Sequence, residues 1–348
     1  GKFLIENLDK DIVNKVYFYD INFEKAQNLK KIWGKDSDLT ANLEDLIKSS
    51  QLIIECANVN VVEEVLKFCK EYKKNVVIMS VGGLILNYEL FKTLQKQIKI
   101  YIPEGAIFGL DIFKALKYSK VNSIELRTYK SPKSLEGAPF LKEKNIDVYS
   151  LKEETLLFEG SLIESIKKFP QNINVAATLG IVSGEFEKIR VKVICSPFID
   201  KNIHHILIDS DIGRFESISQ NLPSKYNPKT SALALFSCLA TTLNAIKEYL
   251  EKKGFKVVLD GSLEGVSGIE HHFSILAFKG KKIVCVDIPN PSLFLPSVYG
   301  KAIDIPWARI LVPVKRDNLC NYDHTACNLS IISYRNVEEL IDKIKELL

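Results

Sequence analysis

Residues 51–84, QLIIECANVNVVEEVLKFCKEYKKNVVIMSVGGL, decide the fold class. QLIIECA (51–57) is a short apolar run, the mark of a strand buried on both faces of a parallel sheet. VNVVEEVLKFCKEYKK (59–74) reads as a helix, and NVVIMSVGGL (75–84) as the next strand, running into a glycine turn. Strand, helix and parallel strand follow one another at the pace of a βαβ unit. Upstream, VYFYD (16–20) is another such strand, flanked by a helix over 1–14 carrying Phe3, Leu4, Ile5 and Leu8 and by a charged helix over 22–32. LEDLIKSS (43–50) is a further helix. Downstream, YELFKTLQKQ (88–97) is helical, and IKIYIPEGAIFG (98–109) is a strand ending in a second glycine turn.

The texture changes near residue 111. DIFKALKYS reads as a helix, and VNSIELRTYK (121–130), KNIDVYS (144–150), NVAATLGI (174–181), KIRVKVICSP (188–197) and NIHHILIDSD (202–211) read as successive strands. Consecutive strands predict a more antiparallel α+β region. Residues 227–254 begin with turn chemistry at Pro228, become one long helix and stop at Gly254. Beyond lie strands in FKVVLDGSLEG, HFSILAFKG, KKIVCVDIP, RILVPVKR and LSIISY, with Gly280 in a turn, and an amphipathic helix in VEELIDKIKELL. The expected class is therefore α/β: a Rossmann-like parallel sheet, an α+β substrate domain and a small α/β C-terminal domain. The expected boundaries are 1–107 completed by helix 230–252, then 108–229, then 255–348.

Bulk properties narrow the function. At 348 residues the chain exceeds what one core usually holds. With 46% hydrophobic and 26% charged residues it has ordinary globular composition. A formal charge of +4, with basic residues dispersed, speaks against a nucleic-acid footprint. No run reaches the roughly 20 apolar residues of a membrane span, and charges interrupt the opening GKFLIENLDKDI too early for a signal peptide. The 7 cysteines form no CxxC pair, so buried free thiols in a reducing cytoplasm are expected.

An acid ending the second strand of a βαβ unit can accept hydrogen bonds from the adenosine ribose. Asp20 stands there, about 20 residues after Gly1, the usual spacing from a phosphate-binding glycine loop. Gly1 accordingly reads as the last glycine of a G-x-G-x-x-G loop, with the first strand missing ahead of it. GSLEGVSG (261–268) has the wrong spacing to replace it. The alternative for Asp20 is a helix cap or turn residue. An acid favours NAD over NADP, whose 2′-phosphate it repels, although Lys25 lies close enough to blur the preference.

Several motifs now fall in order: SVGGL (80–84), YIPEGAIFGLD (101–111), SLEGAPF (134–140), LFEGS (157–161), FPQNINVAAT (169–178), KNIHHI (201–206) and NPKTS (227–231). Together they resemble the L-aspartate dehydrogenase family over residues 1 to about 250. The resemblance implies NAD- or NADP-dependent oxidation of L-aspartate to iminoaspartate, or to oxaloacetate and ammonia after hydrolysis. It also implies a product that feeds NAD synthesis, and a homodimer. It carries the family's catalytic histidine to His204, within Asn202, His204 and Ile206; His205 stands where the family usually has an acid. On a strand, one of these two histidines points inward and the other outward. With this reading Gly1, Asp20, Asn174, Ala177 and Asn202 are expected at the cofactor, and Lys229, Thr230 and Ser231 at the substrate. Further candidate donors to the substrate carboxylates are Asn174, Thr178 and the amides of GAIFG. The bland alternatives are helix capping by Thr230 or Ser231, turn roles for Asn172 and Asn174 before a strand, and a cap at Asp111.

Residues 255–348 extend past the resemblance. GVSGIEHHFSILAF and KKIVCVDI faintly resemble the core of PD-(D/E)xK nuclease-like domains, but Ser274 stands at the acid position and Asp287-Ile288-Pro289 lacks the lysine, so metal-dependent cleavage is not expected. Glu270, His271, His272 and Asp287 could group around a metal, but ordinary surface-strand residues are the favoured reading, and no metal is expected. His324 and Cys327 are too few for zinc. The alternative to an enzyme is a non-catalytic sensor signalling through this tail.

Overall fold

The structure, a computed structural model, describes residues 1–8, 13, 15–34, 36–170, 173–225, 227, 229–252, 254, 256–280, 282–286, 301–315 and 329–334. Its first elements are α1 (Lys2–Asn7), β1 (Val16–Phe18), α2 (Phe23–Trp33), β2 (Ser37–Leu39), α3 (Leu43–Ser49), β3 (Leu52–Glu55), α4 (Val62–Glu71), β4 (Asn75–Ile78), α5 (Gly82–Leu86), α6 (Tyr88–Leu94) and β5 (Ile100–Tyr101). Every strand pair among them is parallel, in the orders β1-β2 and β3-β4-β5. This is the Rossmann-like α/β region that alternating strands and helices require.

Local chemistry explains the helix starts. Asn22 caps α2 by accepting from Lys25 N, and Asn42 caps α3 by accepting from Asp45 N. Glu55, buried at the end of β3, accepts from Ala57 N, Ser80 N and Ser80 Oγ and so ties the ends of β3 and β4 together. The helix expected over 1–14 is seen as Lys2–Asn7, and residues 9–12 and 14 lie outside the described residues. One expectation changes here. Gly82 and Gly83 are not a turn but the start of α5, where a Cβ on Gly83 would lie 2.5 Å from Val62 Cβ. Glycine is needed for the close approach of α5 to α4.

The second region holds α7 (Phe113–Leu116), β6 (Val121–Lys130), α8 (Pro132–Leu135), α9 (Pro139–Lys144), β7 (Thr155–Ser161), α10 (Leu162–Lys168), α11 (Asn174–Ser183), β8 (Ile189–Cys195), β9 (Asn202–Ser210), β10 (Gly213–Asn221) and α12 (Ala232–Lys252). Its sheet has the order β10-β9-β6-β8-β7, with β6 and β8 parallel and every other pair antiparallel. NVAATLGI is not a strand but α11, buried along Val175–Gly180 and packed on α5 and α10. A helix apolar all round has no periodic face, so pattern alone cannot separate it from a strand. KNIDVYS is not a strand either. Asn145, left-handed at φ 52°, ends α9, and Asp147 accepts from Tyr149 N in a turn.

The C-terminal strands are β11 (Lys256–Glu264), β12 (Glu270–Lys279), β13 (Lys282–Val286), β14 (Arg309–Lys315) and β15 (Leu329–Tyr334). They pair in sequence order, antiparallel from β11 to β13 and parallel from β13 to β15. All five were expected. The expected helix over 337–348 and the residues Asp287-Ile288-Pro289, His324 and Cys327 lie outside the described residues.

The chain divides into two compact units, one of residues 1–4 and 42–242, the other of 5–41 and 243–348. The first has a continuous core from Ile47 to Ile208; the second has its own smaller core around Phe273, Leu276, Cys285 and Ile310. No described helix is long and apolar enough to cross a membrane. Cys69, Cys195 and Cys238 are buried free thiols, but Cys56 is exposed where β3 ends.

Candidate active site

The site grows out of the buried face of β6 and β9. On β9 the buried positions are Asn202, His204, Ile206, Ile208 and Ser210, every second residue. On β6 they include Ile124, Leu126, Thr128 and Lys130. Ile124 faces Ile208, Leu126 faces Ile206 and Thr128 faces His204. One face is thus ordinary core at one end and strongly polar at the other. Burying polar groups is costly unless they are bonded or used, so a core strand that turns polar marks a site.

His204 is 2% exposed, and its Nδ1 lies 3.2 Å from Thr128 Oγ1. Burial, aided by the nearby charge of Lys130, pushes its pKa down to about 3, so the imidazole is neutral. His205 points to the other face and pairs with Glu216 of β10, giving the inward and outward pair expected of neighbouring strand residues.

Lys130, unread in the sequence, is the other principal group. Its ammonium lies 3.2 Å from Asn202 Oδ1 and 3.4 Å from the Lys229 carbonyl. Burial alone pushes its pKa down to about 8. The signal was strand parity: Lys130 shares a face with Ile124, Leu126 and Thr128.

The remaining candidates separate. Asn202 is fully buried, and its Nδ2 has no hydrogen-bond partner. Ser231 Oγ is likewise buried and unpartnered, so it does not cap α12. Thr230 Oγ1 accepts from Asn227 Nδ2 and does not cap it either. Lys229 Nζ would meet a Cβ on Gly137 at 3.7 Å, which places it beside the SLEGAPF loop. Asn174 is the first residue of α11, and its Oδ1 accepts from Gly82 N at 3.5 Å; it precedes a helix, not a strand. Thr178 donates back to the Asn174 carbonyl and so has no hydroxyl proton left for a substrate. Ala177 is fully buried and its N–H donates to Ile173. The GAIFG loop is held by its backbone: the Ala106 carbonyl accepts from Ser219 Oγ and Asn221 Nδ2, both at 2.9 Å, and Gly105 N donates to Ser237 Oγ. Asp111 makes no capping bond to the helix that follows. Asn172 lies outside the described residues.

In the other unit, Asp20 follows β1 and its Oδ1 accepts from Asn22 N at 2.8 Å, the turn geometry that sequence alone also allowed. Oδ2 has no partner among the described residues. Gly1 is exposed immediately ahead of α1. Of the candidate metal ligands, His271 Nε2 lies 2.7 Å from Asp304 Oδ2, and Asp304 also accepts from Ser267 N and Ser267 Oγ. Among the described residues no three His, Cys, Asp or Glu side chains are placed to hold a metal.

Residues 111–245 match the family described as aspartate dehydrogenase, C-terminal, and residues 3–103 match homoserine dehydrogenase, NAD binding domain. The chain is 37% identical to the L-aspartate dehydrogenase of Methanococcoides burtonii over 64% of its own length and 84% of that protein. It is 40% identical to the L-aspartate dehydrogenase of Methanococcus maripaludis over 67% of its length and 88% of that protein.

The chain belongs to the L-aspartate dehydrogenase family.

The fold agrees. The crystal structure of aspartate dehydrogenase from Thermotoga maritima superposes with a TM-score of 0.54 at 29% identity, covering 70% of this chain and 92% of that one. In this L-aspartate dehydrogenase family member, the region matching an NAD-binding domain precedes the region that carries His204. The family match stops at residue 245, so β11–β15 lie beyond it, and the nuclease-like resemblance gains no support.

Proposed function

We propose that this protein oxidises L-aspartate with NAD or NADP, releasing iminoaspartate or, after hydrolysis, oxaloacetate and ammonia. The observation that carries the reading is His204, neutral and buried beside Thr128 and Lys130 where the core face of β6 and β9 turns polar. The bound nicotinamide supplies the chemistry by which the Cα hydrogen leaves with its electron pair. The protein binds and orients the amino acid and moves protons. A neutral imidazole suits exchange with the substrate amine, the imine or the attacking water. The Thr128 hydroxyl fixes the ring: whichever way that bond is polarised, Nε2 takes the complementary role.

For the cofactor, the residues fit. Asp20 offers an unused carboxylate oxygen to the ribose, and Asn202 an unused buried Nδ2 donor; Gly1, Asn174 and Ala177 are assigned to the cofactor on the family resemblance. Lys229, Thr230 and Ser231 are assigned to the substrate, Ser231 with an unused hydroxyl. The domain division 1–107 with 230–252, 108–229 and 255–348, a homodimer, a cytoplasmic location and a place ahead of NAD synthesis complete the proposal. The buried free thiols suit a reducing compartment. Nothing in the described residues favours a sensor without turnover.

The test is substrate choice. Initial rates of NAD and NADP reduction should be measured with L-aspartate, L-alanine, L-malate and L-homoserine. Turnover with L-aspartate far above the others is expected. L-homoserine or L-malate matching or exceeding it would overturn the assignment.

A further inference from the structure

Among the described residues, Lys130 is a buried cation without a buried anion. It is 2% exposed at the end of β6, and its two hydrogen-bond acceptors, Asn202 Oδ1 and the Lys229 carbonyl, are both neutral. Among the described residues it forms no ion pair. The groups around it repeat the imbalance. Asn202 Nδ2 is a buried donor without a partner, and so are the hydroxyls of Ser231, two residues after Lys229, and of Ser196, whose N–H donates to the Lys130 carbonyl. Buried charges are normally paired, and buried donors are normally satisfied. A cluster of donors around an unpaired ammonium lacks one thing, an acceptor-only anion. A carboxylate has two oxygens, about four lone-pair sites and no proton to donate.

We propose that Lys130 is the cation that binds a carboxylate of the substrate, with Ser231 as a neutral co-donor, and so selects dicarboxylates at this site. The assignment rests on the aspartate reading above and names the group that gives it specificity. It also gives the charge a second role. Lys130 helps to hold His204 neutral in the free protein. A bound carboxylate offsets the ammonium, so the imidazole becomes a better base only when substrate is in place. An empty site is thereby kept from taking up a proton.

The probe is malonate, a dicarboxylate with no amine to oxidise, titrated calorimetrically into the full protein, the Lys130→Gln variant and the His204→Gln variant. The unaltered protein and His204→Gln should bind malonate. Lys130→Gln should bind about 30-fold more weakly or worse, the usual scale for removing one partner of a buried charged bond. Its KM for L-aspartate should rise by a similar factor with a smaller change in kcat.

A measurement on the unaltered protein guards against a variant that fails to fold. Among the described residues the titratable groups facing Lys130 are His204 on β9 and Cys195, its register partner on β8; Lys229, in the loop before α12, meets it through its backbone carbonyl. Because burial holds the ammonium's pKa at about 8, binding an anion at pH 8.5 should draw in a proton, read from titrations in buffers of different ionisation enthalpy. Lys130→Gln, where folded, should take up none.

Malonate affinity and aspartate KM unchanged in a folded Lys130→Gln, or no proton uptake by the unaltered protein, would overturn the assignment while leaving aspartate oxidation standing. Malonate binding that depends on Lys130 in a protein that does not oxidise aspartate would support it and remove the activity reading alone.

Discussion

Thr128 and His204 meet because β6 and β9 run antiparallel in a register that sets them opposite each other. The hydroxyl is the imidazole's visible anchor, so Thr128→Val should leave the fold intact and lower kcat about 5- to 10-fold. That is the value of one hydrogen bond of roughly 1 kcal/mol. Steady-state kinetics check it; an unchanged kcat would show that the ring is held by packing alone. His204 itself was legible because the motifs around it come in order and the strand alternation sends one histidine inward. Lys130 and Thr128 were not. A lysine at a strand end, in VNSIELRTYK, reads by default as solvated. The register shift between Val121 and Ser123 disturbs the parity count at the strand's start. Counting forward from Leu126 would have put both residues on the core face.

Among elements, the contact of α4 with α5 depends on Gly83. A methyl there would lie 2.5 Å from Val62 Cβ and 2.8 Å from the Val59 carbonyl. Gly83→Ala should cost about 1–3 kcal/mol, as overpacking does, and appear as a lowered Tm; an unchanged Tm would mean the helices part without loss. α10 has the other kind of local signal. Ser161 and Glu164 form a reciprocal capping box, and Ser161→Ala should lower stability by about 1 kcal/mol in denaturant unfolding. Such caps can be read from sequence. The identity of α11 cannot, because Val175, Ala176, Ala177, Leu179 and Gly180 are all buried and leave no amphipathic period. The short strands β2 and β5 gain their definition from parallel partners rather than from their own residues. β7 and β10 went unread: each carries exposed or half-exposed residues along most of its length.

For the whole molecule, the buried site ties stability to pH. The His204 pKa is held at about 3 against an ordinary 6.5. Between those values the unfolded chain binds a proton that the folded chain does not, so stability from this group is full above pH 6.5 and is lost as pH falls toward 3. Lys130 acts with the same sign higher up: between pH 8 and 10.5 the unfolded chain holds a proton the folded one has released, so stability rises with pH there. His204→Gln should flatten the acid limb of the stability curve by about one proton, measured by urea unfolding from pH 4 to 7. An unchanged slope would show that the imidazole is not buried neutral. The alternation of strands and helices to residue 109 and the order of motifs from 80 to 231 made the α/β class and the family legible. The β11–β15 sheet was legible as strands, but nothing in its residues announces a role.

Under the proposed function, His204 acts on an amino acid bound where the shared face of β6 and β9 turns polar. That role is tested most directly by following NADH consumption with oxaloacetate and ammonium for the protein and its His204→Ala variant. Turnover by the unaltered protein and a loss of about 10²–10⁴-fold in the variant are expected, with malonate still bound by both. Undiminished turnover in His204→Ala would contradict it.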